Sequence, residues 1–147
     1  MEKNIKIAFW CYLAALIGLA VSGGIYLFRS SFMPYHSVAV GLPWAEVPAP
    51  FQLLILALMK VIGAAWLVIV LAAVSLLLGP FRRGAAWARR VLPILLIGTY
   101  AGMANAMYRV TVHSPAWPPW SYVFASLALV IVAVIMTVLP DPGEKRK

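Results

Sequence analysis

Four long apolar runs, separated by short polar or proline-rich segments, make up most of the chain. They cover residues 7–28, 51–78, 91–112 and 120–139. Each has about the 20 residues that an α-helix needs to cross a ~30 Å hydrocarbon core. Within that core every backbone N–H and C=O must find its partner inside the segment, which leaves the helix as the available spanning structure for such runs. The pattern therefore predicts an all-α membrane protein, a four-transmembrane-helix bundle forming one membrane domain over 1–147. The first run follows a short basic segment, as a secretory signal would, but its apolar length exceeds a signal core of 7–15 residues, so a retained helix is expected. Gly79-Pro80 is expected to stop the second helix. Pro93 falls in the first turn of the third, where proline is tolerated. Pro140 and Pro142 follow the fourth.

Composition sharpens this picture. Of the 147 residues, 64% are hydrophobic and 11% charged, against about 25% charged in a soluble domain. The mean hydropathy is +0.94. Too little chain remains outside the runs for an extramembrane catalytic domain, and no internal repeat or low-complexity tract is visible. Cys11 is the single cysteine, so an intramolecular disulfide and dithiol redox chemistry are both excluded. The longest polar interval, 30–50, holds four prolines yet is itself apolar, so it is expected to pack against one face of the bundle.

Charge then sets the expected topology. The net charge of +8 comes from 12 basic and 4 acidic residues. Nine of the basic residues lie at Lys3, Lys6, Arg82, Arg83, Arg89, Arg90, Lys145, Arg146 and Lys147. The two intervening loops, 29–50 and 113–119, hold only Arg29 between them. With an even number of spans, the positive-inside rule is met throughout if both termini are cytoplasmic. Trp10 and Trp87 then fall at the inner interface, Trp44, Trp117 and Trp120 at the outer one, and Trp66 lies deep in a span. The basic residues read as topology markers facing anionic lipid, so nucleic acid is not an expected partner.

Two basic residues, Lys60 and Arg109, are left inside apolar runs, where ionisable groups are costly. At 1.5 Å per residue, Lys60 lies ~13 Å from the outer start of the second span and Asn105 ~12 Å from the outer end of the third. Arg109 is one turn beyond Asn105 on the same face. The sequence thus predicts a polar ligand-binding cluster in the outer half of the bundle: Lys60, Asn105, Arg109 and Glu46, with Tyr35, His36, Tyr108 and His113 at its rim. Two cations, an amide and a loop carboxylate suit an anionic headgroup. The bland alternative is that both cations snorkel to the interface. No acidic residue falls within a run, which argues against a carboxylate proton relay. His36 and His113 lack any local metal-ligand spacing, and no nucleophile or nucleotide-binding motif is present, so neither a metal, a cofactor nor a catalytic residue is assigned. Ala14, Gly18 and Ser22 on the first span, and Gly98, Gly102 and Ala106 on the third, form stripes of small residues. Such stripes let helices approach closely, within the chain or in a homo-oligomer.

The strings Phe32-Met33-Pro34-Tyr35-His36, Pro80-Phe81-Arg82-Arg83-Gly84 with Trp87-Ala88-Arg89, and Ser114-Pro115-Ala116-Trp117-Pro118-Pro119-Trp120 resemble an uncharacterised bacterial family of small four-span membrane proteins. In layout alone the chain is similar to DoxX-like four-helix membrane proteins. The resemblance implies a bacterial inner membrane and carries no activity. Three readings of function are open on these grounds. The chain could bind an anionic lipid-like or amphiphilic ligand in the outer half. It could be an accessory or structural subunit of a membrane complex. It could be a membrane enzyme with an outward His/Glu site.

Overall fold

The structure is a computed structural model that describes residues 3–139. The expected stop at Pro140 and Pro142 and the basic cluster at 145–147 lie outside the described residues. Among the described residues five α-helices occur, in the order α1 (Lys3–Phe28), α2 (Pro34–Val40), α3 (Ala49–Leu76), α4 (Ala86–His113) and α5 (Trp120–Val138). All but α2 are long and apolar enough to cross a membrane. The chain is thus an all-helical, multi-pass membrane protein with four candidate spans.

Helix α1 is the spine. It packs most extensively on α3 and α5, while α5 bridges to α4, and α3 and α4 touch each other sparingly. The main core is a column of fully buried side chains along one side of α1, Ala8, Tyr12, Ala15, Leu16 and Leu19, against Leu77, Phe81, Leu92, Leu96, Tyr100 and Val130. Tyr100 Oη donates to the Ala15 carbonyl at 2.7 Å, tying α4 to α1. Where α1 crosses α3 the backbones meet at Gly23 and Gly63. A Cβ placed on Gly63 would lie 2.6 Å from the Leu27 amide nitrogen and 2.7 Å from the Gly23 carbonyl oxygen.

The second span runs further than Gly79-Pro80 suggests. Helix α3 continues as a π-helical turn, Leu77–Phe81, with Pro80 inside it. A wide turn of this kind tolerates the missing proline N–H, and it carries Leu77 and Phe81 into the core, where Phe81 meets Tyr12 edge-on at 5.7 Å. The chain reverses instead at Gly84, whose φ of 81° is a left-handed conformation suited to glycine. Arg82 stacks over Phe9 and Arg89 over Phe81, at 5.9 and 6.0 Å from the ring centroids. The arginine-rich turn therefore sits beside the start of α1. Asn4 Nδ2 donates to the Leu139 carbonyl at 3.4 Å, so both ends of the described chain share that end of the bundle.

The 30–50 interval folds at the opposite end. Helix α2 and a 3-10 turn, Trp44–Glu46, carry Phe32 and Val47 into a small second core with Met59, flanked by Tyr26, Met33, Trp44 and Ile55. Gly41, at φ 75°, ends α2.

Candidate functional site

The few contacts between α3 and α4 leave a cleft between them. It has a volume of about 630 Å³, within the range of small-molecule sites. Its walls are Ile55 to Ile69 on α3 and Gly98 to Val110 on α4. Ser22, Ile25 and Tyr26 of α1 and Tyr122 of α5 lie behind. The cleft thus occupies the half of the α3–α4 pair that lies away from the arginine-rich turn. Leu58, Ile62, Gly98, Gly102 and Ala106 on its two rims are exposed, so it opens sideways between the helices. A Cβ on Gly98 or Gly102 would meet nothing within 4 Å. The small-residue stripe of α4 is therefore not a packing seam within the chain. The corresponding stripe on α1 does pack in part, because Gly18 lies against the Tyr122 ring.

Aromatic residues close the end of the cleft near α2. Tyr26 packs on Trp66 with ring centroids 5.0 Å apart, and its hydroxyl hydrogen-bonds the Tyr35 hydroxyl at 2.8 Å. His36 lies edge-on to Tyr35, with ring centroids 4.2 Å apart. Its Nδ1 accepts from the Met33 amide N–H at 3.3 Å, which assigns the ring proton to Nε2. Burial, and secondarily the charge of Arg29, pushes the His36 pKa below its ordinary value. Burial likewise pushes the Tyr35 hydroxyl well above its usual range, helped by its bond to Tyr26. Both groups are uncharged at neutral pH.

Among the described residues no charged side chain lines the cleft. Of the cluster expected from sequence, Tyr35 and His36 line it, and Lys60, Asn105, Arg109, Glu46 and His113 do not. The five that do not are all exposed, as is Tyr108. Helical geometry explains the separation. At about 100° per residue, Lys60 points away from the α3 face that carries Ile55, Met59, Ile62 and Trp66, and Asn105, seven residues on from Gly98, falls at the outer edge of the α4 wall, on the opposite side of the helix from Thr99, Met103 and Met107. Equal depth in the membrane did not imply a shared face. His113 Nδ1 is engaged with the Arg109 carbonyl at 2.9 Å. Among the described residues no three His, Cys, Asp or Glu side chains gather in metal-holding geometry, so Glu46, His36 and His113 do not form such a group.

Tyr26, Trp66 and the glycine walls were missed at the sequence level. Trp66 carried a signal as the only tryptophan deep in a span, and Tyr26 as a polar ring near the end of the first. A second, shallower hollow adjoins the cleft and shares Met33, Tyr35 and Pro119 with it. It brings together Pro34 with Pro115, Trp117 and Trp120, so two of the distinctive loop strings meet there.

Compared with family models, curated proteins and solved structures, the chain matches none.

Proposed function

We propose that this protein binds the apolar part of a membrane amphiphile in the cleft between α3 and α4. The observation that carries the reading is the cleft itself: about 630 Å³, uncharged, and open sideways between two candidate spans. An apolar chain leaving the bilayer through that opening would exchange lipid contacts for side-chain contacts without crossing water. Tyr26, Tyr35 and His36 cluster uncharged hydrogen-bonding groups at the end near α2, whereas the remaining walls are mostly apolar, with Ser22, Thr99 and Tyr122 as scattered exceptions, which suits a ligand with a polar head and an apolar tail. In this reading Lys60, Asn105, Arg109, Glu46 and His113 contact lipid headgroups or water outside the cleft. The membrane is a bacterial inner membrane, with the arginine-rich end cytoplasmic.

Native mass spectrometry of the protein extracted with its lipids tests the proposal. Gly102 lines the cleft at its exposed rim and a Cβ there meets nothing within 4 Å, so Gly102→Leu is expected to obstruct the opening without disturbing the fold. The wild-type protein and a Gly24→Leu control, also in open space but away from the cleft, are expected to retain a bound amphiphile that Gly102→Leu loses. Equal retention by all three would overturn the reading. The same spectra address a second reading, favoured by the unfilled Gly98–Gly102–Ala106 stripe, in which the cleft receives a helix of another copy or of a partner. In that case Gly102→Leu would change subunit stoichiometry and leave bound lipid unaffected.

A further inference from the structure

The cleft reading leaves the head of the ligand undefined, and the inference here rests on that reading. Arg29 supplies a definition. Its backbone N–H still donates to the Ile25 carbonyl at 3.1 Å, so it continues the helical register of α1. Ile25 and Tyr26, four and three residues earlier, line the cleft. Arg29 therefore stands one turn beyond them on the same face.

The Arg29 side chain is half-buried, and its Nε is shut off from solvent with no hydrogen-bond partner. A guanidinium placed in this way is an incomplete arrangement, because a buried donor on a cation is costly unless an acceptor meets it. The charge of Arg29 reaches the cleft, since it acts on His36 in the cleft wall. The neighbouring groups are donors as well. With Nδ1 of His36 occupied by the Met33 amide, the Nε2–H remains to be accepted. The Tyr26–Tyr35 hydrogen bond uses one hydroxyl proton and leaves the other. The polar groups gathered where Arg29 meets the cleft are thus Arg29, His36, Tyr26 and Tyr35. Glu46, Arg109 and His113 lie at the same end of the bundle but are exposed and outside the lining, and no carboxylate lines the cleft among the described residues. One cation and two donors, with no anion to satisfy them, are complementary to an oxyanion.

The size of the cleft limits the remainder of the ligand. From Ile55 to Ile69 the α3 wall is roughly 21 Å long at 1.5 Å per residue. A volume of about 630 Å³ suits one drug-sized molecule, hence one chain and not a two-chain phospholipid.

We propose that the occupant is a single-chain amphiphile with an anionic head, whose oxygens bind the Arg29 guanidinium while His36 and the Tyr26–Tyr35 pair complete its hydrogen bonds. The tail runs from this end along the cleft towards Ile69 and Gly98. Arg29 is then a ligand-binding residue and not merely a topology marker.

The test measures binding of palmitate, methyl palmitate and palmitoyl lysophosphatidate to the detergent-purified full chain, by competition with a fluorescent fatty acid at pH 8. Wild type is expected to bind at least one of the two anions about tenfold more tightly than the methyl ester. Preference for palmitate identifies a carboxylate head, and preference for the lysolipid identifies a phosphate head. Arg29→Gln should bring the preferred anion to the level of the ester while ester binding stays unchanged, and Arg29→Lys should restore part of the preference. Gly102→Leu should weaken all three ligands. If Arg29→Gln leaves the anion preference intact, or lowers ester and anion alike, the head assignment is overturned and the cleft reading stands. If no ligand binds wild type, or Gly102→Leu changes nothing, the cleft reading fails and this inference with it.

Discussion

His36 is held uncharged by its position in the α2 cap. Its Nδ1 must stay unprotonated to accept from Met33, and burial followed by the Arg29 charge opposes a second ring proton. The folded-state pKa is therefore below the ordinary value of 6.5. Above that value folded and unfolded chains are both neutral here, and the contribution of His36 to stability is complete. As pH falls below it the unfolded chain takes up a proton that the folded chain resists, so stability declines towards the folded-state pKa and then levels off. Thermal unfolding in detergent from pH 8 to pH 5 should show a midpoint that falls in wild type. The slope should be shallower in His36→Gln, whose side-chain oxygen can still accept from Met33 but cannot titrate. Parallel slopes would show that other groups set the pH dependence.

At the scale of elements, glycines act in two opposite ways. Gly63 and Gly23 let the α1 and α3 backbones touch, and a Cβ on Gly63 would press on the backbone of Leu27. Backbone atoms cannot rotate aside as a flexible side chain would. Gly63→Ala should therefore separate the helices and cost about 1–3 kcal/mol, whereas Gly24→Ala, in open space, should be neutral or slightly stabilising. Unfolding of the two variants in mixed micelles would measure the contrast, and equal stabilities would contradict the close crossing. On α4, Gly98 and Gly102 keep a wall low and a cleft open. Both kinds of position look alike in sequence, where the recognisable stripe was Gly98–Gly102 and the functioning contact is Gly23 against Gly63. The end of α3 teaches the same lesson, since Gly79-Pro80 looks like a stop signal. Burial of Leu77 and Phe81 outweighs that signal and carries the helix through a π turn to Gly84.

At the scale of the whole molecule, charge and hydrogen-bonding chemistry are divided between the two ends. Lys6, Arg82, Arg83 and Arg90 are exposed around the start of α1 and the α3–α4 turn. The other end holds the aromatic cap, Arg29 and the hollow below Trp117. If the basic end is cytoplasmic, a cysteine at Ser30 in a Cys11→Ser background should react in intact cells with a membrane-impermeant maleimide. A cysteine at Ala86 should react only after permeabilisation. The reverse pattern would invert the proposed orientation and place the cleft's polar end on the cytoplasmic side.

The sequence by itself determined the number of candidate spans, their approximate limits and the segregation of charge, because these follow from summed hydropathy and from charges at the ends of runs. It also marked Tyr35 and His36, through their place in a distinctive loop. It did not determine which helix faces meet. In a soluble protein the polar face of a helix reveals the buried one, but in a bilayer the outward face is as apolar as the inward face, so periodicity loses its meaning. Lys60 and Asn105 could be given a common depth from residue counts, but their azimuths depended on packing that only the tertiary structure decided. That packing left both outside the cleft lining and brought Tyr26, Tyr35 and His36 together at its end.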